Sequence, residues 1–212
     1  IEVSDVAVSG GYIDLTGHIL NSANGKIRAL GGYGQINVVN NTNNNAVSPG
    51  VIFQDGNLRV LGNVTFAGSL VNLTNMTLFI GGQVTFIGAG NFTNNSSYTS
   101  TGNGFVSMNG NAAQAVGGTG TFGNFEVDAG ANTCTVAGTF TGTFNLTSGT
   151  TAGGAAIVFN GTNPFPTIVR NNGLFAAAPT FTSMVNVYYI GGDKGTALEL
   201  PLTVVADKLN NL

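Results

Sequence analysis

The amino-acid sequence predicts an all-β protein, and more specifically a β-solenoid, or parallel β-helix, with coils of about 20 residues. Three observations predict this fold class. Apolar and polar residues alternate in many short segments, residues typical of tight turns separate these segments, and similar segments recur at a nearly constant spacing. Alternation of apolar and polar residues buries one side of a strand, and repeats of constant length can stack on one another.

Alternation is the dominant local pattern. Residues 11–16, 57–61 and 122–127 carry apolar side chains at every second position, the period that buries one side of a strand. None of these segments has the sustained 3.6-residue period of a helix. The 33 glycines would destabilise helix interiors, but they suit the positive φ angles of tight turns. The sequence therefore predicts many short strands and no long helix.

A five-residue pattern that ends in glycine recurs along the chain. Val64-Thr65-Phe66-Ala67-Gly68 is followed 20 residues on by residues 84–88, and 22 residues further on by residues 106–110. Looser copies begin at Val127, after 21 residues, and at Leu146, after 19 more. One coil of a β-solenoid has this length, and successive coils stack at the inter-strand spacing of about 4.8 Å. We therefore expect these segments to lie one above another.

A β-sandwich is the alternative fold. Its best support is the pair of similar segments 120–123 and 138–142, each with a Thr-Phe centre between glycines, which fit hairpin corners as well as solenoid corners. Against the sandwich, the sequence lacks the regular Asn-Gly hairpin signals expected every 8 to 12 residues, roughly the spacing of short antiparallel strands. The solenoid is therefore favoured.

The polar stretch at residues 40–50 suggests a division of the chain. It contains a run of asparagines and Ser48-Pro49-Gly50, a composition typical of loops. We expect an N-terminal β-repeat segment at residues 1–48 and β-solenoid repeats at residues 49–212, continuous with each other in one elongated domain.

Composition excludes several function classes. Charged residues make up 7% of the chain, and its six basic residues are too few to neutralise many phosphates, so nucleic-acid binding is not expected. The apolar runs are far shorter than the roughly 18 to 20 residues of a membrane-spanning helix. The single Cys134 is predicted to be a small core residue, and the lone His18 is predicted to be structural or on the surface. We expect no cofactor and no metal.

The pattern of carboxylates does not predict an enzyme. Glu126 and Asp128 are the only close pair on one side of a strand among the nine acidic residues, and a solvated strand face explains them. Calcium-binding loops and Ser-His-Asp arrangements are not indicated by the sequence. We therefore predict a protein that is not an enzyme.

Two parts of the chain resemble known repeat proteins. The first contains Gly10-Gly11-Tyr12-Ile13-Asp14-Leu15-Thr16-Gly17-His18-Ile19 and Gly32-Tyr33-Gly34-Gln35-Ile36-Asn37-Val38. With these motifs, residues 10–42 resemble repeat modules of very large filamentous adhesins of the haemagglutinin or leukotoxin type. The second contains residues 106–110, Gln114, 117–127, 185–189, 199–201 and 209–212. With these, residues 105–212 resemble long repeat proteins that Bacteroidetes-type bacteria export to their surface.

The resemblance implies cell-surface display, β-helical repeats and an adhesive or scaffold role, with no catalytic residue to transfer. Residues 122–125 and 209–212 also match each other, which predicts that a second copy of a unit of about 87 residues begins at the second site. We expect an extracellular rod or fibre subunit that stacks end to end, through its terminal strand edges, on itself or on flanking repeats.

The competing function is a carbohydrate-binding or polysaccharide-degrading β-helix domain. Sugars stack on exposed aromatic side chains, so this reading needs a line of such residues on one face of the rod. The candidate glycan contacts are Tyr12, Tyr33, Tyr188 and Tyr189. Packing at corners or in the core is the simpler interpretation of all four.

Overall fold

Up to residue 79 the computed structural model describes only the backbone of short ranges, and from residue 80 onward it describes longer stretches with their side chains. The described residues are 2–4, 12–14, 26–30, 35–38, 41–42, 51–54, 56–60, 64–66, 70–72, 76–95, 97–100, 103–162, 164–192, 195–200 and 208–212. Side chains are described from residue 80 onward, except that of Ser97. His18 and Tyr33 lie outside the described residues.

The described elements are strands, most of them two to five residues long, and one turn of 3₁₀ helix at Gly154–Ala156. In chain order the strands are β1 (Glu2–Ser4), β2 (Tyr12–Asp14), β3 (Lys26–Leu30), β4 (Gln35–Val38), β5 (Asn41–Thr42), β6 (Val51–Gln54), β7 (Gly56–Val60), β8 (Val64–Phe66), β9 (Leu70–Asn72), β10 (Met76–Ile80), β11 (Gln83–Phe86), β12 (Phe92–Asn94), β13 (Ser97–Ser100), β14 (Phe105–Met108), β15 (Gln114–Gly117), β16 (Thr121–Phe122), β17 (Phe125–Val136), β18 (Gly138–Phe140), β19 (Thr143–Ala152), β20 (Ile157–Phe159), β21 (Thr167–Arg170), β22 (Leu174–Phe175), β23 (Thr180–Phe181), β24 (Val185–Tyr189) and β25 (Leu209–Asn211).

The strands form three ladders, and each ladder makes one face of the structure. Every pairing between described strands is parallel. The first face contains β5, β8, β11, β14, the start of β17, the start of β19, β21, β24 and β25. The second face contains β1, β3, β6, β9, β12, β15, the ends of β17 and β19, and β22. The third face contains β2, β4, β7, β10, β13, β16, β18, β20 and β23.

The chain visits the first, second and third faces in turn and then repeats the circuit, so each circuit is one coil. The structure is therefore a β-solenoid with coils about 20 residues apart, as the sequence predicted. The sandwich alternative is wrong, because its two supposed hairpin corners are neighbouring strands of one parallel ladder. Thr121 pairs with Thr139 and Phe122 with Phe140 on the third face.

The predicted repeat register is right in part. Val84 pairs with both Val64 and Val106, and Val127 pairs with Leu146, as the spacing indicated. Val106, however, pairs with Phe125 rather than Val127, whose partner in that coil is Met108. The prediction was off by two residues there, a shift that keeps the same residues pointing inward and so leaves the alternation unchanged.

The core is a stack of inward side chains, most of them apolar. Phenylalanines dominate it, and neighbouring rings lie 4.8 to 6.5 Å apart between centroids when Tyr98 is included. The largest fully buried side chains are Phe86, Phe92, Phe122, Phe125, Phe140, Phe144 and Phe159. Such rings bury large apolar areas and gain further from edge-to-face contacts, so they hold successive coils together.

Asparagine and serine side chains at the described corners join neighbouring coils. The Oδ1 atoms of Asn91, Asn95 and Asn124 and the Oγ of Ser100 accept hydrogen bonds from backbone N–H groups one coil further on. Their donors are Ala115 (2.6 Å), Thr119 (3.3 Å), Thr143 (2.9 Å) and Asn124 (2.7 Å), respectively. Corner N–H groups that leave the ladder still need partners, and these short polar side chains supply them.

Candidate functional site

The four candidate tyrosines fall in different parts of the chain. Tyr12 lies in β2, where the structure describes the backbone alone, and its backbone pairs with Gln35. Tyr188 and Tyr189 lie side by side in β24 on the first face. The structure therefore places Tyr12 on the third face and Tyr188 and Tyr189 on the first. Since Tyr33 lies outside the described residues, the role of the four tyrosines as glycan contacts stays a prediction.

Tyr188 and Tyr189 point to opposite sides of β24, because adjacent side chains alternate along a strand. Tyr188 is 47% exposed. Tyr189 is half-buried, and its hydroxyl donates a hydrogen bond to Oε1 of Glu199 at 2.8 Å. Burial, together with this carboxylate, raises the pKa of Tyr189 to about 12. Of the two rings, Tyr188 is therefore the one available to stack on a ligand.

The two carboxylates of β17 are engaged in a polar ladder on the outer side of the first face. Glu126 accepts hydrogen bonds from the Ser107 hydroxyl at 2.6 Å and the Thr147 hydroxyl at 2.7 Å. The donors come from the coil before and the coil after, so the carboxylate links three coils. This geometry agrees with a structural strand face.

Asp128 repeats this arrangement two residues along the same strand. Its oxygens accept from Asn109 Nδ2 at 3.1 Å and from Ser148 Oγ at 2.6 Å, again from the two neighbouring coils. Charged acceptors make stronger hydrogen bonds than neutral ones. Both carboxylates therefore join three successive coils through hydrogen bonds.

A buried ion pair is the feature that the sequence did not reveal. Arg170 in β21 donates from Nη1 to Oε1 of Glu199 at 2.7 Å, and the Glu199 residue is 0% exposed. The same oxygen accepts from the Tyr189 hydroxyl and from the Ala197 N–H at 2.9 Å. Burial opposes ionisation of Glu199, but these hydrogen bonds outweigh it and hold the pKa of the carboxyl below its ordinary value.

Cys134 lies in the core, as predicted. Its side chain points inward from β17 and is 0% exposed, and burial raises the pKa of the thiol to about 12. A reactive cysteine needs a lowered pKa and access to solvent. Cys134 has neither property, so it acts as a small apolar residue.

Metal sites and membrane-spanning helices are not found among the described residues. No group of three or more His, Cys, Asp or Glu side chains that could hold a metal ion occurs in that part of the chain. Among the same residues, no helix is long and apolar enough to cross a membrane.

The fold and these contacts define a parallel β-solenoid with a polar outer ladder. No family model, no curated protein and no solved structure matches the chain. A single fold can host many unrelated functions, so the fold alone does not define what this chain does.

Proposed function

We propose that the chain is a non-catalytic structural or adhesive component of the bacterial cell surface, a stiff rod or extracellular fibre subunit. The observation that carries this proposal is the continuity of the ladders and core columns from coil to coil. Because each coil is clamped to the next by backbone ladders, buried rings and cross-coil side-chain bonds, bending would break many contacts at once.

The chemistry of the surface supports an extended rather than a catalytic role. With 7% charged residues, the chain relies on hydroxyls and amides for contact with water. The two close carboxylates already bind hydroxyl and amide donors from neighbouring coils. The resemblance of residues 10–42 to filamentous adhesins and of residues 105–212 to exported repeat proteins supports the proposal of cell-surface display in a bacterium.

End-to-end stacking is the second part of the proposal. β25 pairs with β24 on one side, and among the described strands it has no partner on the other. Exposed strand edges readily pair with further strands. Large exposed apolar side chains among the described residues are also concentrated in the last coils, and they are Leu174, Met184, Tyr188, Ile190, Leu209 and Leu212. We propose that flanking coils or another copy of the chain cover this edge.

Electron microscopy of the native material, with the polypeptide mass measured under denaturing conditions, tests the proposal. Long fibres built from chains of about 21.5 kDa would support a self-assembling filament. A rod made of one very large polypeptide would support a repeat adhesin. Compact isolated particles, with protected terminal strand amides and no association at high concentration, would contradict both.

Binding of carbohydrate is the second candidate, and the exposed ring of Tyr188 is the observation that favours it. An aromatic ring on a flat strand surface offers a face to a sugar. The test compares Tyr188→Ala with Leu174→Ala on a glycan array, since Leu174 is also exposed but not aromatic. Loss of binding in the first variant alone supports a glycan contact, and turnover of any polysaccharide would overturn the non-catalytic proposal.

A further inference from the structure

Paired positions in successive coils of the first face form a column of inward side chains. One such column changes from apolar to polar residues towards the last described coils. The column runs through Phe86, Met108, Val127 and Leu146, all fully buried and apolar. It then continues through Arg170, which pairs with Leu146, and through Tyr189, which pairs with Arg170. A guanidinium therefore occupies a position that earlier coils fill with apolar side chains, and its charge needs a partner.

Residues 195–200 supply that partner, and we call this segment the strap. It follows β24 and brings Glu199 against Arg170 and Tyr189. Leu198 and Leu200 of the strap are partly buried and pack against the core cluster. Arg170 also donates to the backbone carbonyl of Gly195 at 2.8 Å, so one side chain holds both ends of the strap.

Three of the polar contacts of the strap meet at a single oxygen atom, in addition to the bond from Arg170 to the Gly195 carbonyl. Oε1 of Glu199 accepts from Arg170, from Tyr189 and from the Ala197 N–H. Oε2 of Glu199 and Nε of Arg170 are buried and lack hydrogen-bond partners. The pair is therefore joined by one nitrogen–oxygen contact rather than by the stronger two-contact arrangement of arginine and carboxylate.

We infer that residues 195–200 form a detachable strap, held on the coil stack by ionised Glu199, that acid releases while the coils beneath it stay folded. The charged and titratable groups that face Glu199 among the described residues are Arg170 on β21 and Tyr189 on β24. Within the strap, Glu199 is the one residue with an ionisable side chain.

The direction of the pH effect follows from the lowered pKa of Glu199. A carboxyl whose pKa is lowered by folding stabilises the folded form above its ordinary value, about 4.3 for glutamate. That stabilisation is lost as the pH falls through the lowered value. Protonation would deprive the largely buried Arg170 of the Glu199 carboxylate, its ion-pair partner among the described residues. The equivalent positions of earlier coils, Leu146 and Val127, are apolar and have no such dependence on pH.

Hydrogen exchange of the whole chain, followed by mass spectrometry between pH 7 and pH 3 and corrected for intrinsic rates, tests this inference. The reporters are the Ala197 and Leu200 amides, which bond to Glu199 Oε1 and to the Ala197 carbonyl. Glu199→Gln is expected to speed exchange in the strap by about tenfold or more at pH 7, with peptides of β17 and β19 unchanged. Glu126→Gln is the matched control and is expected to leave the strap protected.

A double variant keeps the test decisive if the single variant folds poorly. The double variant Arg170→Leu with Glu199→Leu replaces the ion pair by apolar side chains and so continues the apolar column. The amides of the strap should then stay protected from hydrogen exchange at every pH tested. The inference is overturned if Glu199→Gln leaves strap exchange at the wild-type rate. It is also overturned if strap, β17 and β19 lose protection together in acid, or if the double variant opens in acid as the wild type does.

Discussion

The rings of Phe122 and Phe140 stack on successive coils with centroids 4.9 Å apart and planes inclined by 24°. They occupy equivalent positions in β16 and β18, and their backbones pair in parallel. The same two Thr-Phe segments were the best argument for a sandwich. Stacking of like residues at this distance is what a solenoid requires, because each coil places the same position directly over the last.

Loss of the Phe140 ring should destabilise several coils at once. Its ring lies within contact range of four others, namely Phe122, Phe125, Phe144 and Phe159. Phe140→Ala is expected to lower the free energy of unfolding by about 3–5 kcal/mol, measured by urea denaturation. Phe140→Leu should cost less than about 1.5 kcal/mol, because it keeps most of the volume. Similar small losses for both variants would show that the core is loosely packed.

The adjacent glycines Gly117 and Gly118 should respond very differently to substitution by alanine. Gly118 has a φ of +119°, and an added Cβ would lie 2.0 Å from the Asn94 carbonyl oxygen. An added Cβ at Gly117 would have no heavy atom within 4 Å. We expect Gly118→Ala to lower the midpoint of thermal unfolding clearly and Gly117→Ala to leave it nearly unchanged. Equal midpoints would contradict the described turn.

Removal of the Asn124 side chain should weaken the contact between three coils. Its Oδ1 accepts from the Thr143 N–H at 2.9 Å, and its Nδ2 donates to the Gly104 carbonyl at 3.2 Å. Asn124→Ala leaves both backbone groups without these partners, for a loss of about 1–3 kcal/mol in urea denaturation. Asn160→Ala, at an exposed corner position, is the control and should stay within about 0.5 kcal/mol of wild type.

Cys134 should resist thiol reagents until the protein unfolds. Because burial raises its pKa to about 12, the folded protein favours the neutral thiol. Its contribution to stability is complete below the unfolded pKa of about 8.5 and is lost as the pH rises through the folded value. At pH 8 we expect labelling by a coloured disulfide reagent to follow the urea unfolding curve. Prompt labelling of the folded protein would refute the buried position.

The fold class and part of the register were accessible from sequence because both depend on local patterns. The alternation predicts strands, and the spacing from Val64 to Val84 and Val106 predicts stacked coils. The step from Val106 to Phe125 was missed, because a two-residue shift preserves the inward and outward alternation. Only the length of the intervening corner decides between the two registers.

The ion pair of Arg170 with Glu199 was not predicted, since it joins residues 29 positions apart across a corner whose path the sequence does not specify. One signal was present. Aligning residues 144–146 with 168–170 places Arg170 where Leu146 stands, and an arginine at an inward position requires a buried counter-charge. The roles of Tyr12, Tyr33, Tyr188 and Tyr189 in glycan binding stay predictions.

The corner bonds have a consequence for how such a chain changes over evolutionary time. The bonds that Asn91, Asn95, Ser100 and Asn124 accept from backbone N–H groups each join one coil to the adjacent one. A duplicated or deleted coil would therefore have to match only its two new neighbours and not the rest of the stack. The length of the rod then becomes adjustable in increments of about 4.8 Å, one coil at a time.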